Sequence, residues 1–172
     1  MAKVYVSIGS NIEREKHIVA GLDALADRFG ELLVSSVYES EAVGFVGDHF
    51  LNLVAGFDTT LPVGALSVLL RDIEHRSGRT RSETRFSGRT LDIDILTYDD
   101  CCGVVDGIAL PRAEILDNAF VLLPLAEIAP AVLHPAEKKS YAVLWKAYRH
   151  PQKLWPVDFI WRNRVISRAA HT

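Results

Sequence analysis

The segment LDIDIL at 91–96 sets an acid at every second position between aliphatic residues. On a strand, residues two apart project from the same face, so Leu91, Ile93 and Ile95 point one way and Asp92 and Asp94 the other. A chain carrying this segment must cover one face of a sheet with apolar packing and keep the opposite face polar at this point. Strand residues two apart have Cβ atoms roughly 7 Å apart, so the paired carboxylates repel unless cations lie between them. Magnesium is the natural occupant, because it is held by one or two carboxylates plus substrate phosphates, and two such ions can bracket a transferring phosphoryl group. Taken alone, D-x-D is as compatible with a solvated strand face, so the surroundings decide.

Immediately upstream, six arginines (Arg71, Arg76, Arg79, Arg81, Arg85, Arg89) face three acids (Asp72, Glu74, Glu83), a local excess of +3 in a chain of net charge -3. No lysine lies between Lys16 and Lys138, so the cations here are guanidinium forks, which grip phosphate bidentately. An arginine-rich segment running into paired carboxylates suits a triphosphate with its metal. The segment 79–86, inside the Ser-, Thr- and Gly-rich stretch 77–90, is expected to close over such a ligand. Gly9-Ser10-Asn11 offers a weaker anion site, while no Walker A sequence, dinucleotide fingerprint, G-x-S-x-G elbow or activated cysteine is present.

The remaining pattern supplies the scaffold. KVYVSIG (3–9) alternates as a strand, and Ser10 with Glu13 reads as a capping box for a helix running to Gly30. LLVSSVYES (32–40) and HFLNLVAGFDT (49–59) read as a hairpin-like strand pair. Thr60 and Pro62 open a second helix that ends before Gly78. A short helix is expected from near Asp117, interrupted at Pro124 and closed before Pro130, and another from Ser140 to Tyr148. Helices packed on a mainly antiparallel sheet give an α+β fold. With no repeat or linker, one domain over 1–172 is expected, its tail 151–172 packing on the core or serving a dimer contact. Phe50 and Asn52 share a strand face and, with Phe120, suit a flat heterocycle: rings sandwich it and the amide reads its edge.

An apolar share of 49% with 24% charged residues excludes a disordered chain. The net negative charge argues against a nucleic-acid coat, and no apolar run reaches membrane-span length. Adjacent Cys101 and Cys102 and singly scattered histidines suggest no disulfide framework or zinc site, which fits the cytoplasm. Oligomeric state stays open.

The run GRTLDIDIL with Arg79 and Arg81 upstream, together with YVSIGSN, SSVYES, FLN, IEHRSGRTR and FVLLPLAEIAP, resembles the 6-hydroxymethyl-7,8-dihydropterin pyrophosphokinases over roughly residues 3–135. The resemblance implies a ferredoxin-like fold and transfer of pyrophosphate from ATP to the pterin hydroxymethyl group in folate biosynthesis, releasing AMP. An alternative is a pterin- and ATP-binding relative with weak activity or a modified pterin substrate. It implies that Asp92 and Asp94 hold two Mg²⁺ ions, and that Arg79 and Arg89 act catalytically on the phosphates. Arg71, Glu74, Arg81, Arg85, Ile95 and Arg112 fall on the nucleotide side. Ser40, Val43, Phe50, Asn52 and Phe120 fall on the pterin side. The departures gather on the ATP side: Arg112 stands where a histidine is usual, Ala113 where an aromatic is frequent, Asn118 for a frequent arginine and Phe86 for a frequent tryptophan. Weakened or altered nucleotide binding is the expected consequence.

Overall fold

The computed structural model describes residues 1–41, 48–78 and 90–170. In chain order the elements are β1 (Ala2–Ser10), α1 (Arg14–Phe29), β2 (Leu33–Val34), β3 (Val37–Ser40), β4 (Phe50–Thr59), α2 (Val63–Arg76) and β5 (Asp92–Tyr98). There follow β6 (Gly103–Val105), β7 (Ile108–Leu110), α3 (Glu114–Asp117), α4 (Ala119–Ile128), α5 (Tyr141–Ala147), β8 (Leu154–Val157), β9 (Phe159–Trp161) and β10 (Arg164–Ser167). The main sheet runs β5-β1-β4-β3-β8, with β2 also on β4, and its ladders are antiparallel. Hairpins β6–β7 and β9–β10 form separate ladders. This is the α+β architecture of helices on an antiparallel sheet.

The alternation of β1 divides the helices between the two faces. Val4, Val6 and Ile8 pack with Leu51, Leu53, Phe57, Ile93 and Ile95 beneath α1 and α2. Tyr5 joins Val54, Leu96 and the apolar sides of α3, α4 and α5 on the opposite face. Leu22, Leu25, Leu66 and Leu70 are fully buried, and truncating any one to alanine costs about 2–5 kcal/mol. α1 approaches β5 closely because Gly21 has no side chain: a Cβ there would lie 3.2 Å from Leu91 Cδ1. Among the described residues the second face is covered at one end only. Its helices lie over Tyr5, Val54 and Leu96, while the end of the sheet holding Gly9, Asn52 and Asp92 carries polar groups.

Three local expectations are corrected. Ser10 and Glu13 form no capping box: Ser10 ends β1 and its hydroxyl donates to Thr90 O at 2.5 Å, while Glu13 is a left-handed N-cap without a side-chain cap bond. Segment 32–40 is not one strand. Ser35 and Ser36 interrupt it, with Ser35 Oγ accepting the Val54 N–H and Ser36 bound to Glu127. α4 runs unbroken through Pro124, because Val121, Leu122, Leu125 and Ala126 around it are buried in the core of the second face and this packing outweighs the roughly 3 kcal/mol a proline costs a helix interior. The break falls instead at Asn118, whose backbone is extended between α3 and α4. The tail returns to the molecule as β8, β9 and β10, with Phe159 in the core. No helix among the described residues is long and apolar enough to cross a membrane.

Candidate active site

The ladder registers assemble the site. Gly9 is opposite Asn52 on one side and Asp92 on the other, and Asn52 is opposite Tyr38. Directly opposed residues share a face, so Asp92, Gly9, Asn52 and Tyr38 form one row across four strands. The next row sets Ser7 beside Asp94. The acids and the amide therefore look out from one face, separated only by a glycine. A Cβ on Gly9 would lie 3.6 Å from Asn52 Oδ1 and 3.9 Å from Phe50 Cδ1, so its absence leaves a shallow floor between them.

Asn52 is buried, and its Nδ2 donates to Ser40 Oγ at 2.8 Å and to the Tyr38 carbonyl at 3.2 Å. These bonds fix the amide plane and turn its oxygen toward the Gly9 floor. Ser40 is opposite Phe50 on the same face, and Phe120 stands half-buried near the start of α4. Val43 lies outside the described residues.

The acid end is held from α2. Glu74, 1% exposed, accepts the Ile93 N–H at 2.7 Å, and Arg71 donates to the Ile93 carbonyl. Arg71 Nη1 lies 3.0 Å from Glu74 Oε1 and Nη2 3.4 Å from Asp94 Oδ1. The pair thus grips the peptide between the two aspartates along the outer edge of β5, as a neighbouring strand would. Arg112, with its backbone N–H on Leu96 O, places Nη2 3.7 Å from Asp94 Oδ2 and Nε 2.6 Å from Glu114 Oε2. Burial first, and then the Asp92 carboxylate, pushes Asp94 up to about 6 against the pull of Arg112 and Arg71. At neutral pH such a group is mostly ionised beside a second carboxylate, and hard carboxylate oxygens suit a hard divalent cation.

Ile95 lies 5% exposed among the apolar residues under α1 and α2, not on the face of the aspartates. Arg79, Arg81, Arg85 and Arg89, with Phe86, fall outside the described residues. The histidines His17 and His134 are buried and bonded locally, His17 Nδ1 to Ile12 O and His134 Nδ1 to two backbone N–H groups. Sequence reasoning assigned no part to Gly9 as floor, nor to Gln152, whose side chain binds at the α3–α4 junction. The alternation of β1 signalled the first; a tail with no helical or strand periodicity of its own gave no signal for the second.

Comparison with known proteins bears on this arrangement. Residues 5–130 match the family model described as 7,8-dihydro-6-hydroxymethylpterin-pyrophosphokinase (HPPK). The chain is similar to 2-amino-4-hydroxy-6-hydroxymethyldihydropteridine pyrophosphokinases of Aquifex aeolicus, 33% identical over 81% of this chain and 88% of the relative, and of Methylorubrum extorquens, 39% identical over 76% and 84%. In fold it resembles a crystallised HPPK-DHPS in complex with substrates, with a TM-score of 0.69 at 12% identity over 96% of this chain and 48% of the other. It also resembles Plasmodium falciparum HPPK-DHPS, with a TM-score of 0.63 at 15% identity over 86% and 44%. The chain spans less than half the length of those crystallised chains.

Proposed function

The chain belongs to the 7,8-dihydro-6-hydroxymethylpterin-pyrophosphokinase family, and from that premise we propose how its own residues carry the reaction. It transfers pyrophosphate from ATP to 6-hydroxymethyl-7,8-dihydropterin, a step of folate biosynthesis. The hydroxymethyl oxygen attacks the β-phosphorus, the bond from that phosphorus to the α–β bridging oxygen breaks, AMP leaves with that oxygen, and the hydroxyl proton is released.

The row Asp92–Gly9–Asn52–Tyr38 carries this reading. Adjacent strands are about 4.8 Å apart, so acid and amide stand roughly 10 Å apart, a span that a bicyclic ring with a one-carbon arm can cross. Asn52, its amide oriented by Ser40 and Tyr38, pairs with the edge of the pterin. Phe50 and Phe120 take its faces, and Ser40 with Val43 completes that side. Asp92 and Asp94 hold Mg²⁺, two ions in this proposal. When bound, magnesium neutralises the phosphates and the developing charge on the attacking and leaving oxygens. Arg71 and Glu74 keep the aspartates in register through the Ile93 peptide, and Arg112 faces the nucleotide from the opposite side. Arg79, Arg81, Arg85 and Arg89 act on the phosphates. Such a transfer needs positioning and charge neutralisation more than covalent catalysis. Free Cys101 and Cys102 support a cytoplasmic setting.

The test is AMP release from Mg²⁺-ATP with and without the pterin, using Asp92→Asn and Asp94→Asn. Pterin-dependent AMP that vanishes in both folded variants is expected. Substantial turnover in both would remove the acid pair from the mechanism, and pterin binding by the wild type without AMP would favour a relative that binds but does not transfer.

A further inference from the structure

Gln152 lies beyond the residues that match the family, yet its side chain is used entirely at the α3–α4 junction. Its Oε1 accepts the Ala119 N–H at 2.5 Å, and its Nε2 lies 3.1 Å from Asn118 Oδ1 and 3.3 Å from the Asp117 carbonyl. Asn118, the N-cap of α4, makes no side-chain cap bond of its own. The first amide of the helix is therefore satisfied by the tail, and the next residue is Phe120. A helix start anchored in this way holds the backbone from which Phe120 projects.

Two residues later the tail joins the other wall. Leu154 is opposite Ser40 in the β3–β8 ladder, and Ser40 is opposite Phe50, so Leu154, Ser40 and Phe50 form a second same-face row beside the one holding Asn52. On the reverse face, Trp155 meets the His49 ring edge-on at 5.6 Å, and His49 Nδ1 lies 3.0 Å from Glu39, the ladder partner of Trp155. One short stretch thus braces the start of α4 and the start of β4, the two places that present Phe120 and Phe50.

We propose that residues 152–155 form the outer wall of the heterocycle side of the site, with Leu154 lining it and Gln152 a positioning residue that acts through Phe120. The inference rests on the pterin reading above. A bound ring held between two aromatic groups is sensitive to their placement, and supporting bonds of this kind keep such groups within about 0.5 Å of the productive geometry. The bond to Asn118 also gives a use to one departure from the family pattern, since a longer cation there would not offer Gln152 an acceptor.

The experiment titrates 6-hydroxymethylpterin by fluorescence into the full chain with Mg²⁺ and a non-hydrolysable ATP analogue, comparing wild type, Gln152→Ala, Leu154→Ala, Phe120→Ala and the Gln152→Ala/Phe120→Ala double variant. Gln152→Ala and Leu154→Ala are each expected to weaken pterin binding about fivefold, with the affinity for the ATP analogue within about twofold of wild type. In the Phe120→Ala background, Gln152→Ala should add almost nothing, a coupling that a helix cap without influence on the ring would not produce. Unchanged pterin affinity in both single variants, equal weakening of both ligands, or fully additive losses in the double variant overturns the proposal. A wild-type chain that binds the ATP analogue but no pterin overturns the pterin reading itself, and the wall with it.

Discussion

Gly9→Ala separates stability from activity at the centre of the site. The new Cβ would meet Asn52 Oδ1 at 3.6 Å, Leu51 O at 3.7 Å and Phe50 Cδ1 at 3.9 Å, all ordinary van der Waals contacts. The strand therefore accepts the methyl without strain, and replacing glycine at a compatible site stabilises by about 0.4–1 kcal/mol through the unfolded chain. For a chain of this size that is a melting-temperature rise of about 1–4 °C. The same methyl stands up from the floor between Asn52 and Asp92, where ring and phosphate have to meet. A misplacement of about 1 Å can cost a factor of about 10² in rate, so kcat/KM for AMP release is expected to fall at least tenfold while the melt moves up. Gly9→Val, with two methyls more, should fall further. Thermal melts and AMP assays on the same preparations decide: full activity in Gly9→Val, in a folded protein, would mean that the substrates do not cross this floor.

Other perturbations test the surroundings. Arg112→Ala removes a guanidinium 3.7 Å from Asp94 and 2.6 Å from Glu114, and should raise KM for ATP about tenfold, the scale of one charge-assisted hydrogen bond; an unchanged KM would take Arg112 off the nucleotide. Glu74→Ala leaves the Ile93 N–H without its acceptor and strips Arg71 of its ion pair with Glu74, and should cost about 2–3 kcal/mol in urea melts, whereas a loss below about 0.5 kcal/mol would refute the clamp. His134 is buried with Nδ1 accepting the Ala136 and Glu137 N–H groups, and burial holds its pKa below the ordinary value. The unfolded chain then takes up a proton that the folded chain resists. Stability due to His134 is complete above the unfolded value of about 6.5 and declines as pH falls below it. The stability difference between wild type and His134→Asn should accordingly shrink between pH 7.5 and 5.5, and a constant difference would contradict this.

What was legible followed from periodicity over short distances. Leu91-Asp92-Ile93-Asp94 alternates, and the structure buries Leu91 and Ile93 while turning the aspartates to the other face. The segments around β1, α1, β4 and α2 carry similarly strong patterns and lie close to where periodicity put them. The misreadings arose where a distant partner decides. Ser10 is a good N-cap residue, yet Thr90, eighty positions away in sequence, offers its hydroxyl a carbonyl and keeps it in the strand. Pro124 stops an isolated helix, but the apolar core of the second face around α4 makes continuation the better bargain.

The tail illustrates the same point from the other direction. LWPV at 154–157 has a proline where a central strand would need a donor, which argues against a strand, and β8 is tolerated because it is an edge: among the described residues only β3 pairs with it. An edge strand needs just one partner, so its presence is set by what β3 leaves unpaired rather than by its own residues. The aromatic-and-amide pocket was therefore only half visible in sequence. Phe50 and Asn52 announce themselves by spacing on β4, while the groups that fix them, Ser40 on β3 and His49 braced by Trp155, come from segments that are brought together by the ladders alone.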